Sequence, residues 1–125
     1  MEKEKKPRLV ELFGYNSTIN KDIIEDICYY YHIKCREASA EVEEILIMNG
    51  IIEKNIELGF YQINFDNLKN SEIMKKVVGE LEHMDKYVIL LTEENEWFFE
   101  ILEVDDEEDF EFLIEYLENQ TINKY

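Results

Sequence analysis

Residues 87–123 contain neither lysine nor arginine, and 13 carboxylates lie between Glu93 and Glu118. Like charges at that density repel one another. Any fold of this segment must turn its acids to water and its apolar residues inward. The spacing allows this. Tyr87 to Leu91 reads as an apolar strand and Trp97 to Val104 as its returning partner. Glu93-Glu94-Asn95-Glu96 reads as the turn between them, with Asn95 able to take a left-handed backbone. Asp105-Asp106 then caps a final helix in which Phe110, Leu113, Ile114 and Leu117 recur at i, i+3, i+4, i+7. The acidic first turn suits the positive end of that helix's dipole.

The rest of the chain can supply the core this segment needs. Its 125 residues match one domain, and 46% hydrophobic with 13% aromatic content separates it from a disordered acidic tail. The formal net charge is −17, from 30 acids and 13 bases. Such a surface repels nucleic acid and anionic membrane, so direct binding to either is not expected. Lys3, Lys5, Lys6 and Arg8 are the exception and read as a solvated basic arm. No apolar run approaches the roughly 20 residues of a membrane helix. No apolar h-region follows Arg8, so no signal peptide is expected. The expected setting is cytoplasmic, and a host's cytoplasm if a phage encodes the chain. Two cysteines, Cys28 and Cys35, fit a reducing compartment.

Toward the N-terminus, Asn16-Ser17-Thr18 offers a helix cap, followed by Ile23, Ile24, Ile27, Tyr30 and Tyr31 at helical spacing. A second helix fits Arg36 to Asn49, with Val42, Ile45, Leu46 and Asn49 on one face and Gly50 as its stop. Ile51 to Lys54 and Phe60 to Ile63 read as short strands, with Gly59 easing the bend. Asn70-Ser71 caps a third helix with an Ile73, Val77, Leu81, Met84 stripe. The predicted order is helix, helix, strand, strand, helix, strand, strand, helix. That is an α+β fold in one compact domain over 1–125, with lobes at 9–66 and 70–120 and an α-β-hairpin-α C-terminal half.

Lys21 to Ile63 resembles a winged helix-turn-helix. The matching residues are the apolar helix Ile23 to Tyr31, the helix ending Ile45-Leu46-Ile47-Met48-Asn49-Gly50, and strands Ile51 to Lys54 and Gly59 to Ile63. In DNA-binding members the second helix enters the major groove. Here it begins Arg36-Glu37-Ala38-Ser39-Ala40-Glu41-Val42-Glu43-Glu44, with one base against four acids. For such a member the resemblance implies a protein–protein module.

Chemistry-bearing motifs are sparse. Cys28-x3-His32-x2-Cys35 has metal-ligand residue types but lacks the C-x2-C pair of a zinc site, so no metal is expected. Asp105-x-Glu107-x-Asp109 starts like a calcium loop, but Phe110 stands where glycine is needed. Glu100 and Glu103 fall on opposite faces of one strand and do not form a pair. No nucleophile elbow, phosphate-binding loop or dinucleotide fingerprint is present, and no cofactor or catalysis is expected. Of the aromatics, Tyr31, Phe99 and Ile101 beside them are expected inside, and Tyr29 and Trp97 partly exposed.

The expected function is docking on, or inhibiting, a basic protein that itself binds nucleic acid. The expected contacts are Glu93, Glu94, Glu96, Asp105, Asp106, Glu107, Glu108, Glu111, Glu115 and Glu118, with Trp97 and Tyr29 as aromatic anchors. Small acidic phage and plasmid proteins that inhibit nucleases, restriction enzymes or CRISPR effectors share this character. Two alternatives stand beside it: a winged-helix transcription regulator, with the C-terminal half as a homodimer interface, and a small enzyme without a recognisable motif.

Overall fold

A computed structural model describes residues 7–122, the side chains of 121 and 122 excepted. The basic residues Lys3, Lys5 and Lys6 lie outside the described residues. Six strands and five helices follow in the order β1 (Leu9–Phe13), α1 (Lys21–Tyr31), β2 (Cys35–Glu37), α2 (Ala40–Met48), β3 (Ile52–Lys54), β4 (Tyr61–Ile63), α3 (Phe65–Leu68), α4 (Ser71–Met84), β5 (Tyr87–Thr92), β6 (Phe99–Val104) and α5 (Glu107–Ile122). The fold is α+β in a single small domain.

The apolar run Tyr87–Thr92 becomes the hub. All six residues of β5 are buried, because the strand is paired on both edges and covered on both faces. The sheet order is β1-β5-β6-β2. β1 runs parallel to β5, with Leu9 opposite Val88, while β6 is antiparallel to both β5 and β2. Strand alternation sends successive side chains to opposite faces. Tyr87, Ile89 and Leu91 join a core with Ile24 and Ile27 of α1 and Phe110, Leu113 and Leu117 of α5. Val88 and Leu90 join a second core with Val42 and Leu46 of α2, Val77 and Leu81 of α4, and Ile52 and Ile63 of the β3–β4 hairpin. Each fully buried Leu or Ile stabilises by roughly 1.5–3 kcal/mol over exposure.

Local signals set most helix ends. The Asn70 side chain accepts from the Glu72 and Ile73 N–H groups at 3.0 and 3.1 Å, starting α4. Gly50 takes φ +73° after α2, and the Gly50 and Ile51 N–H groups close on the Ile47 and Leu46 carbonyls. That is the left-handed stop glycine permits at least cost.

Several expectations are corrected. Helix α1 starts after Asn20, whose side chain accepts from the Ile23 N–H, and not after Asn16-Ser17-Thr18. Those three residues fold into a turn in which the Ser17, Thr18 and Ile19 N–H groups converge on the Gly14 carbonyl. Helix α2 starts at Ala40, capped by Ser39, because Arg36 and Glu37 are drawn into strand β2 against β6. Trp97 belongs to the turn, and β6 begins at Phe99. Asn95 is not among the positive-φ residues; Asn16, His32 and Asp85 are. Tyr31 is 51% exposed, since the buried face of α1 runs through Ile24 and Ile27. Strand β1, strand β2 and the single turn α3 were not expected at all.

The helix pair implied by the winged-helix resemblance does not form. Helices α1 and α2 pack in different cores on opposite faces of the sheet, and β2 pairs with β6 and not with the β3–β4 hairpin. The same sheet mixes β1 and β2 with β5 and β6, so the packing does not follow a division at 66–70.

A polar knot closes the β2–β6 side. Glu103 is only 1% exposed. The Ser39 N–H and hydroxyl donate to its Oε1 at 3.1 and 2.8 Å, and Arg36 donates to its Oε2. Lys86 Nζ lies 3.4 Å from the same oxygen. One carboxylate thus holds together β6, β2, the start of α2 and the residue before β5. Burial alone pushes the Glu103 carboxyl up, but the two Ser39 hydrogen bonds and the Arg36 and Lys86 charges outweigh it and hold it below its usual range. Removing the carboxylate would leave the Ser39 N–H without its partner and two cations short of charge. Glu103→Ala is expected to cost about 2–3 kcal/mol of stability, measured by urea unfolding. A cost near zero would mean water replaces the carboxylate freely.

Candidate functional site

The carboxylates between Glu93 and Glu118 occupy three distinct settings. The first is α5. Asp106 Oδ1 accepts from the Glu108 N–H at 3.1 Å, and its carbonyl accepts from the Phe110 N–H, so Asp106 caps the helix. Phe110, Leu113 and Leu117 are fully buried and fix how the helix is rotated against the sheet. Glu108, Glu111, Glu115 and Glu118 then fall within about 80° of arc on the opposite side. Glu108, Glu115 and Glu118 are exposed and Glu111 is half-buried; Glu107, also exposed, stands at the head of the row. Glu108, Glu111 and Glu115 form no ion pair among the described residues.

The second setting is the β5–β6 turn, where Glu94 and Glu96 are exposed and Glu93 is half-buried. The turn leans on the β3–β4 hairpin. The Ile63 N–H donates to the Glu96 carbonyl at 2.7 Å, and the Trp97 ring meets Phe60 edge-on at 5.2 Å. Glu93 and Glu94 border an open groove of about 490 Å³ with Phe13 and Phe98. This turn sits at the far end of β6 from Asp105, so its acids extend the field without continuing the α5 row.

Asp105 makes the third setting. It is already neutralised: Arg36 donates to both its oxygens at 3.1 Å, and Lys86 Nζ lies 2.7 Å away. Those hydrogen bonds hold its carboxyl down at about 2. Asp105, one of the acids expected to meet a partner, thus has internal counter-charges. Arg8, expected in the basic arm, is also engaged. Its guanidinium lies 4.2 Å from the Tyr87 ring centroid and 3.4 Å from Asp85.

The two expected aromatic anchors stand apart. Trp97 is 47% exposed on the turn, and Tyr29 is 86% exposed on the outward face of α1. The structure instead sets Tyr31, expected inside, against two rings that the sequence did not single out. Tyr31 of α1 packs on Phe112 of α5 at 4.7 Å and lies 6.4 Å from Tyr116. Phe112 and Tyr116 are spaced i, i+4 on the flank of α5 facing α1. That spacing was the available signal, but pairing of α1 with α5 is a tertiary fact.

Two other polar groups bear on chemistry. Cys28 and Cys35 are half-buried free thiols near each other. Burial, with Cys28 beside it, pushes the Cys35 thiol up to about 12. Among the described residues no three His, Cys, Asp or Glu side chains are grouped to hold a metal. Glu100 and Glu103 face opposite cores, as alternation requires. Glu100 instead meets the Tyr15 hydroxyl at 3.4 Å, beside the Lys21–Glu37 pair at 3.3 Å. Burial raises the Glu100 carboxyl.

Among the described residues no helix is long and apolar enough to cross a membrane. Compared with known proteins, the chain matches no family model, no curated protein and no solved structure.

The Asp105 pairing has a pH signature. A carboxyl held below its unfolded value stabilises the fold fully above that value and loses the effect as pH falls toward its folded value. With an unfolded value of 3.8 and a folded one of about 2, the window is pH 4 to 2. The melting temperature of Asp105→Asn is expected to lie below that of the native chain at pH 6, and the gap to shrink as pH falls through this window. A gap constant with pH would show that the ion pairs contribute nothing.

Proposed function

We propose that this protein is an acidic binding module that docks on, or inhibits, a basic surface of a nucleic-acid-binding protein. The observation that carries this reading is the row Glu108, Glu111, Glu115 and Glu118, set opposite the buried stripe of α5 in a segment with no lysine or arginine. Mutual repulsion within the row costs stability that a cationic partner would offset.

Arrayed carboxylates can stand in for the phosphates of nucleic acid, within limits set by their spacing. The row spans about 15 Å of helix, roughly one charge per 5 Å. Duplex DNA carries about one per 1.7 Å of axis. The carboxylates therefore stand in for phosphates as an electrostatic field, not as a copy of phosphate spacing. Glu93, Glu94 and Glu96 widen that field around the Trp97 turn. The alternative of a DNA-reading regulator is disfavoured by α2, whose exposed positions include Glu41, Glu43 and Glu44. It would be revealed by specific retardation of duplex DNA at low salt.

The test compares the native chain with a triple variant, Glu108→Lys, Glu111→Lys and Glu115→Lys, as bait for partners from the source organism or the host it infects. The native chain is expected to retain a basic partner that the variant does not. The affinity is expected to fall by about tenfold or more between low and high ionic strength. A partner that binds equally in molar salt, or that ignores the charge reversal, would rule the proposal out.

A further inference from the structure

Between α1 and α5 runs a groove of about 320 Å³ walled by Ile23, Asp26, Ile27, Tyr30, Tyr31 and Tyr116. Its volume sits at the small end of the roughly 300–1,000 Å³ typical of sites that hold a discrete chemical group. Tyr30 is 78% exposed. Its ring lies 5.8 Å from Tyr31, which in turn packs on Phe112, so the wall is a connected set of aromatic faces. Contiguous rings left in water mark an interaction surface more often than isolated ones do. Asp26 and Tyr30 lie one helical turn apart on the same flank of α1. Asp26 is exposed and makes no ion pair among the described residues. On the far side of α5 the groove gives way to the carboxylate row.

These features discriminate between the two common side-chain cations. An aromatic face attracts a cation through its quadrupole. A guanidinium is planar and weakly hydrated, so it stacks on a ring while its forked N–H groups reach a carboxylate; an ammonium is compact and strongly hydrated. A tyrosine face one turn from an unpaired carboxylate fits the first better. Resting on the docking role proposed above, we infer that the α1–α5 groove is the specificity subsite of that surface and takes arginine side chains from a basic segment of the partner. Tyr30 stacks on the guanidinium and Asp26 accepts its hydrogen bonds. Charge complementarity selects this occupant. A second copy of the chain, with a formal charge of −17, would bring more carboxylates against Asp26.

The test uses two short fluorescent peptides in which arginines or lysines alternate with glycine and serine, titrated at low salt and followed by anisotropy. The arginine peptide is expected to bind about fivefold more tightly or better. Tyr30→Ala and Asp26→Asn, both at exposed positions, are each expected to bring the two affinities together. Tyr29→Ala, on the outward face, is expected to leave the preference intact. Reversing Glu108, Glu111 and Glu115 is expected to weaken both peptides in parallel and preserve their ratio. Equal binding of both peptides to the native chain would overturn the arginine subsite and leave the docking role standing; binding of neither would overturn both. A dimer in sedimentation that Tyr30→Ala dissociates would make the groove a self-interface. Many-fold tighter peptide binding after deletion of residues 1–6 would make the chain's own basic arm the occupant. Either result would equally overturn the inference.

Discussion

Burial of β5 on both faces is the constraint from which the rest of the architecture follows. A six-residue strand with no exposed position needs neighbours on two edges and cover on two sides. No single hairpin provides that. The chain supplies β1 and β6 as edges, α1 and α5 as one cover, and α2, α4 and the β3–β4 hairpin as the other. The N-terminal segment is recruited as an outer strand beside β5 because the hub lies near the C-terminus. This explains why β1 pairs parallel with a strand some eighty positions later, and why α1 and α2 end up on opposite faces.

The distribution of bases follows from the same arrangement. Among the described residues, ion pairs are made by Arg8, Lys21, Arg36 and Lys86, and their partners are Asp85, Glu37, Glu103 and Asp105. These pairs close the sheet's borders: Arg8 ahead of β1, Lys21 at the start of α1, and Arg36 with Lys86 around the buried Glu103. None of those cations reaches Glu108, Glu111 or Glu115. The fold uses nearby positive charge to make a buried carboxylate tolerable, and the α5 row keeps its field. Two kinds of acid are thus distinguished: Glu103 and Asp105 are held ionised by partners inside the molecule, whereas Glu108, Glu111 and Glu115 make no ion pair among the described residues.

The surface this leaves is graded along α5. One flank carries carboxylates and the other carries Phe112 and Tyr116 toward the tyrosines of α1. In the docking role proposed above, the charged flank would attract a basic partner over about a Debye length and the rings would act only on contact. Affinity would then weaken with salt, and ring geometry would govern the choice of partner.

The amino-acid sequence by itself determined the C-terminal half: the β5–β6 hairpin, the amphipathic α5, and the acidic row opposite Phe110, Leu113 and Leu117. Those are local facts, since a period of two or 3.6 residues and a capping side chain act within a few positions. Gly50 as the stop of α2 and Asn70 as the cap of α4 belong to the same class. Strands β1 and β2 were illegible because Leu9–Phe13 and Cys35–Glu37 become strands only by pairing with β5 and β6, and the pairing free energy comes from residues far along the chain. The winged-helix pattern misled for the same reason, because a helix order does not say which face of a sheet each helix covers. Tertiary structure alone decided that Asp105 is neutralised, that Tyr31 stands at the surface beside Phe112, and that Asp26 and Tyr30 share a groove. Each depends on which strands and helices lie side by side, and that was set by the need to cover β5 twice.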